Sequence, residues 1–380
     1  MKNQKKSLIR SDGFQTLLAS LICILGGILV GYIALLIIEP SGASEAIIAV
    51  LKSFFRYPGK LMLKYFGQTL VRTAPLIMCA LSVLFAYKVG MFNIGVAGQY
   101  VAGACGCLYA ALAWHLPWLP CLLIGMTAAA LLGVISGWLK TACNVNVVIS
   151  GIMLNWITLY MTNLILGKVK SPSSPYTMAL QGANPAALMP KMGLEKFFNN
   201  EKSVTIAIPL AVIMAIVVWV VLNKTKFGYE LKATGNNYHA AKYAGMKENR
   251  NIILTMAIAG ALAGMAAGLL FLTGIEDWET TISSVPAMGF NGIAVAFLGG
   301  LSPIGSILSA FFIQYITVGG GNVDLTVYCS QISSLISSLI IYLCAFVAFF
   351  KFFIQTCIRK SEEKKAAAEK AAATKEGGEG

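Results

Sequence analysis

The sequence predicts an all-α, polytopic membrane protein with about ten transmembrane segments and both termini on the cytoplasmic side. Three observations carry that reading. Only 12% of the 380 residues are charged and 57% are hydrophobic, against about 25% charged in an ordinary soluble domain. Mean hydropathy is +0.73. Apolar runs with few charges recur from Phe14 to Phe353, each close to the ~20 residues that cross hydrocarbon as a helix. The alternating pattern of an outer-membrane barrel is absent.

The segments read 14–38, 66–87, 92–114, 119–139, 145–167, 204–222, 252–273, 285–300, 303–320 and 329–353. Together, 14–353 form one transmembrane domain. The first segment follows a basic cytoplasmic tail, 1–13, and exceeds the about 7–15 residues of a signal-peptide core, so it is expected to be retained as an anchor. The eighth is short and glycine-rich, which suits a broken or re-entrant element. Residues 40–65 contain "SEAIIAVLKSFFR", an amphipathic pattern for a helix in the outer interface. Residues 168–203 form a long external loop with Pro172, Pro175, Pro185 and Pro190. The charged, alanine-rich tail 354–380 lacks a hydrophobic stripe, and a frayed helix passing into disorder is expected there.

Orientation follows from charge. With an even number of segments, the side holding both termini and the 223–251 loop carries 19 basic and 8 acidic residues, and the other side 9 and 8. Lys and Arg accumulate on the cytoplasmic side, so the net charge of +13 is topological, and nucleic acid is excluded as its cause. "MFNIGVAG" (91–98) and "GFNGIAVA" (289–296) both set Phe-Asn before glycine and small aliphatics, once from each side. Spans 2–5 and 7–10 are therefore candidate inverted-topology repeats.

The chemistry inside the spans is neutral. No Asp or Glu lies in a span core, and Arg72, near the outer end of the second, is expected to snorkel to the interface, with a structural role lining the cavity as the alternative. Membrane carboxylates that commonly drive ion-coupled carriers are missing, as is any nucleophile with a base. His115 and His239 lie on different sides. The nine cysteines include no CxxC pair and read as small apolar residues, and no metal site is expected. Asn93, Gln99, Asn144, Asn146, Asn155, Asn163, Asn291 and Gln314 remain. Any one of them can simply join helices, worth about 0.6 kcal/mol on average. The pairs Phe92-Asn93, Asn155-Trp156 and Phe290-Asn291, with Gln99, stand beside glycine-rich or broken stretches and are expected to line a path for a polar solute, because irregular backbone at this depth must be buried or face a cavity. Glycines at spacing four (Gly260, Gly264 and Gly268; Gly133 and Gly137) suit close helix packing.

In the cytoplasmic loop, "NNYHAAKYAG" reads as a capped helix, with Asn236 or Asn237 as N-cap and Gly245 at the end. Ala240, Ala241 and Ala244 give it a smooth face for a cytoplasmic partner, although an ordinary connecting loop is equally compatible with the residues.

"MFNIGVAGQYVAGA", "GIMLNWI", "ATGNNYHAAKYAGM" and "GFNGIAVAFLGGLSPIG", in this order, resemble the permeases of bacterial ABC importers for ribose-type sugars and purine nucleosides, over about residues 66–350. Length, the amphipathic stretch and the 168–203 loop are most similar to the longer of the two paired permeases of nucleoside importers. The resemblance implies nucleoside import across the bacterial cytoplasmic membrane, with simple sugars as the alternative solutes. It implies a second homologous permease, an extracellular lipoprotein or periplasmic binding protein, and a cytoplasmic ATPase with two nucleotide-binding domains. ATP and Mg would sit on that ATPase, in keeping with the absence of GxxxxGK[ST] here. The segment 235–245 (Gly235, Asn236, Asn237, Ala240, Ala241, Tyr243, Gly245) would be the coupling helix, and the path would run between the two permeases. The chain departs from many such relatives at Ala97, where they carry Glu. An ion-coupled carrier is the rival class.

Overall fold

The computed structural model describes residues 12–323, part of 335–350, and 351–360. Among the described residues there is no strand; extended pairing is confined to two isolated bridges, Lys170–Thr177 and Tyr176–Glu279. The helices are α1 (Asp12–Ile38), α2 (Ala43–Lys52), α3 (Lys60–Tyr87), α4 (Val96–Leu112), α5 (Trp118–Cys143), α6 (Val147–Leu166), α7 (Leu180–Ala183), α8 (Ala207–Lys224), α9 (Lys226–Asn236), α10 (Tyr238–Tyr243), α11 (Glu248–Phe271), α12 (Ala287–Leu298) and α13 (Pro303–Gly320). Seven of these regions are long and apolar enough to cross a membrane. The expected segment 329–353 lies only in part within the described residues, and 1–11 and the tail from 361 lie outside them.

Two helices form the centre. The most apolar window of α3 is 89% buried and that of α11 72%, against 22% in α1 and 28% in α8. Glycine sets the spacing around α11. A Cβ on Gly133 of α5 would lie 2.1 Å from the Met256 carbonyl oxygen, and one on Gly264 would lie 2.5 Å from the Gly125 oxygen. The stripes at spacing four are therefore helix contacts at backbone distance, which side-chain packing in hydrocarbon rewards.

Segment 3 is broken and segment 8 is short. Residues 91–95 are non-helical, and α4 begins only at Val96. At 1.5 Å per residue, α4 and α12 span only about 25 and 18 Å, short of the ~30 Å hydrocarbon core. Their first turns meet, since a Cβ on Gly289 would fall 2.5 Å from the Cα of Ala97. A larger side chain at Ala97 would have to displace α12.

The molecule has two distinct ends. One carries the 88–95 stretch, α9, α10 and the C-terminus of α12; there Gly90 approaches Gly235, and Phe92 contacts Phe297. Ser20 donates to the Leu298 carbonyl at 2.8 Å, and Gln355 donates to Gln15 at 3.0 Å, so the described chain ends gather here. The opposite end carries the 168–203 loop folded onto the 272–286 loop: Thr177 N–H donates to the Trp278 carbonyl at 2.8 Å and Met189 N–H to Leu272 at 2.8 Å.

Candidate functional site

A cavity of about 700 Å³ opens at the long-loop end. Its walls come from α3 (Arg72), α4 (Tyr100), the end of α11 (Leu270, Phe271), the following loop (Glu276, Asp277, Trp278), α12 (Met288, Asn291) and α13 (Gln314, Thr317). Arg72 takes the cavity-lining alternative. It does not simply snorkel: its Nη1 donates to Glu276 Oε1 at 2.5 Å, joining α3 to the loop after α11. A cation about 18 Å along α3 is costly unless paired, and the loop brings its partner. Trp278 is fixed from both sides. Its indole N–H donates to Asn163 at 3.0 Å, and Asn163 in turn donates to the Ile282 carbonyl at 2.8 Å. Burial raises the Asp277 carboxyl above the ordinary carboxylate range. The cavity thus offers amides, a hydroxyl, an ion pair and aromatic faces.

The expected path residues do not assemble as one set. Only Asn291 lines this cavity. Asn93, Gln99 and Asn155 are 1%, 1% and 2% exposed and serve the broken start of α4. Asn155 accepts from the Gly98 N–H at 2.7 Å and donates to the Ile94 carbonyl at 3.1 Å, and Asn93 donates to Gln99 at 2.9 Å. The break frees backbone groups that nearby side chains must satisfy, and Asn155 does so for Gly98 and Ile94. In this conformation Asn155 thus holds backbone at the break, and Asn93 and Gln99 are paired with each other out of contact with the cavity. Phe92, Trp156 and Phe290 are 37%, 42% and 39% exposed and face outward, away from those amides. Asn144 and Asn146 are turn and cap residues: Asn144 closes α5 at φ +51°, and Asn146 accepts from the Val148 N–H at 2.8 Å.

The other end presents α10. Asn237, rather than Asn236, is its N-cap, accepting from the Ala240 N–H at 3.0 Å, and Gly245 follows it at φ +77°. Gly235 and Asn236 belong to the end of α9 instead. Ala240 and Tyr243 are exposed, Tyr243 at 93%, whereas Ala241 turns inward at 4%. A Cβ on Gly235 would meet the Lys88 carbonyl oxygen at 2.4 Å. The α9–α10 pair thus rests on the backbone that leads into the 91–95 break. Burial, with Lys232 opposite, lowers the Lys88 ammonium pKa.

Sequence reading missed Glu276, Asp277 and Trp278, and with them the partner of Arg72. The one local signal was three acidic residues in "GIEDWET" directly after an apolar segment. Among the described residues no His, Cys, Asp and Glu cluster is arranged to hold a metal ion. The seven described cysteines are unpaired, while Cys329 and Cys344 lie outside the described residues.

Comparison with known proteins gives a consistent family. A family model described as "Branched-chain amino acid transport system / permease component" matches residues 65–347. The guanosine ABC transporter permease protein NupP of Bacillus subtilis is 35% identical over 69% of this chain and 75% of its own. The nucleoside ABC transporter permease protein NupB of Lactococcus lactis is 32% identical over 82% and 85%. A second guanosine ABC transporter permease protein of Bacillus subtilis, NupQ, is 28% identical over 65% and 78%. No solved structure matches the chain.

Proposed function

The chain belongs to the branched-chain amino acid transport system / permease component family, and from that premise we propose that it is the membrane subunit of an ABC importer that moves nucleosides. The observation that carries this is the cavity at the long-loop end. At about 700 Å³ it falls within the about 300–1,000 Å³ of ordinary small-molecule sites. Its amides and hydroxyl suit ribose and base edges, and Phe271, Trp278 and Tyr100 suit a heteroaromatic ring. The relatives named for guanosine and nucleosides favour these solutes over simple sugars.

The finer topology is ten spans with both termini in the cytoplasm. The gathering of the described chain ends beside α10 supports it, as does the charge asymmetry. The cavity then faces outward, toward a substrate-delivering lipoprotein. The second permease covers the apolar side on which Phe92, Trp156 and Phe290 lie, so that the solute path runs between the two subunits.

The cytoplasmic ATPase binds ATP and Mg and grips α10 through Ala240, Tyr243 and the neighbouring exposed turn. Motion passes from Gly235 to Val89 and on to the 91–95 break, where Asn93, Gln99 and Asn155 hold α4 at its start. Access alternates as the broken elements shift. The test is uptake in cells lacking this chain and complemented with it. Labelled guanosine should enter in an ATP-dependent way and be displaced by excess nucleoside but not by ribose. Uptake that follows an ion gradient and ignores ATP depletion would reject the assignment.

A further inference from the structure

A second cavity, distinct from the solute cavity, opens between α3 and α13 near the start of α3. It holds about 570 Å³ and has wholly apolar walls, including Phe54, Met62, Leu63, Phe66, Phe311 and Phe312. Its frame is fixed by polar bonds: Tyr315 Oη donates to the Leu51 carbonyl, Ser53 donates to the Tyr315 carbonyl at 3.1 Å, and Phe54 packs edge-on against Tyr315.

The stretch of chain that frames the groove is one-signed. From residue 51 to 66 the chain carries Lys52, Arg56, Lys60 and Lys64 and no acidic residue. Lys64 is within 3.8 Å of Glu201, and Arg56 donates to the Asn322 carbonyl at 2.9 Å. Lys52 and Lys60 are exposed. Lys60 stands one turn before Leu63 on the same side of α3. Gly59 supplies no side-chain cap, so the first turn of α3 adds N–H donors and the positive end of the helix dipole. Tyr57 stacks on Tyr65 at 4.0 Å, the type of aromatic pair that settles at headgroup depth.

We propose that this groove is a binding site for an anionic phospholipid, with an acyl chain between α3 and α13 and the phosphate held by Lys52, Lys60 and Arg56. Wholly apolar walls fit a hydrocarbon chain and give a sugar or nucleoside no hydrogen bond. The basic rim selects for headgroup charge. The lipid would also brace the Ser53–Arg56 turn against α13, which forms part of the wall of the solute cavity through Gln314 and Thr317. The proposal holds whichever solute the transporter moves.

The test uses the complete transporter in nanodiscs doped with phosphatidylglycerol or phosphatidylcholine carrying a photoreactive acyl chain. Peptides around 54–66 and 311–315 should be labelled in clear excess by phosphatidylglycerol. Lys52→Gln and Lys60→Gln, both at exposed positions, should each cut that labelling about fivefold, since one Lys near an anionic surface is worth about 1 kcal/mol, and should leave phosphatidylcholine labelling unchanged. Leu63→Trp, which fills the groove, should abolish the excess while the transporter remains assembled. Equal labelling by the two lipids in the unmodified protein would overturn the proposal. So would disulfide capture of a partner subunit by Phe55→Cys in the assembled transporter, since a protein would then cover the groove.

Discussion

Asn155 spends both ends of its carboxamide on backbone, accepting from Gly98 and donating to Ile94. Asn155→Leu would leave two buried groups unpaired, at about 1–3 kcal/mol each. The variant should melt at a distinctly lower temperature in detergent and be cleaved more readily near 91–95; an unchanged melt would mean the break is held by other contacts. Arg72 and Glu276 are each 38% exposed, so solvent screens the pair and its coupling should be about 1 kcal/mol or less. A double-mutant cycle with Arg72→Gln and Glu276→Gln should show that small coupling in stability and a larger loss in uptake. A large stability coupling with intact uptake would make the pair a strut only. Asp277 has a raised folded-state pKa, caused by burial. Its destabilising effect is present above that raised value. The effect is relieved as pH falls through it and is absent below the ordinary value of about 3.9. Asp277→Asn should raise stability at neutral pH and flatten the profile over that window, and an unaltered profile would assign the pH dependence to another group.

At the scale of elements, the proposed coupling gives α10 and α9 separable tasks. Tyr243→Glu alters only exposed surface and should abolish co-purification of the ATPase with the membrane domain intact. Gly235→Val drives a side chain into the Lys88 carbonyl. It should leave the ATPase bound but uncouple hydrolysis from solute. Loss of binding in both variants would mean that α9 itself forms part of the docking surface. Apolar length made α5, α8 and α13 legible in the sequence, and α13 occupies the expected 303–320. The cap at Asn237 and the stop at Gly245 were legible because such signals are local. The break before α4 was legible as glycine beside asparagine. What those asparagines bond was not, because an amide serves a cavity or a backbone group equally well and its sequence does not say which. The partner of Arg72 was not legible for a related reason: it lies 204 residues away, beyond any local pattern.

At the scale of the molecule, two half-length helices meet by their N-termini around Ala97 and Gly289 between a docking helix and a solute-sized cavity. That geometry accounts for the neutral interior. In the proposed import cycle the energy enters through α10 rather than through a membrane carboxylate, and the solute is recognised by the cavity wall rather than by the amides at the break. The most direct check is a single reactive cysteine in that wall, Asn291→Cys, treated with an impermeant thiol reagent in cells importing labelled guanosine. The account predicts that the reagent blocks uptake and that excess nucleoside slows the modification. Full modification with undiminished uptake, or modification indifferent to nucleoside, would contradict it.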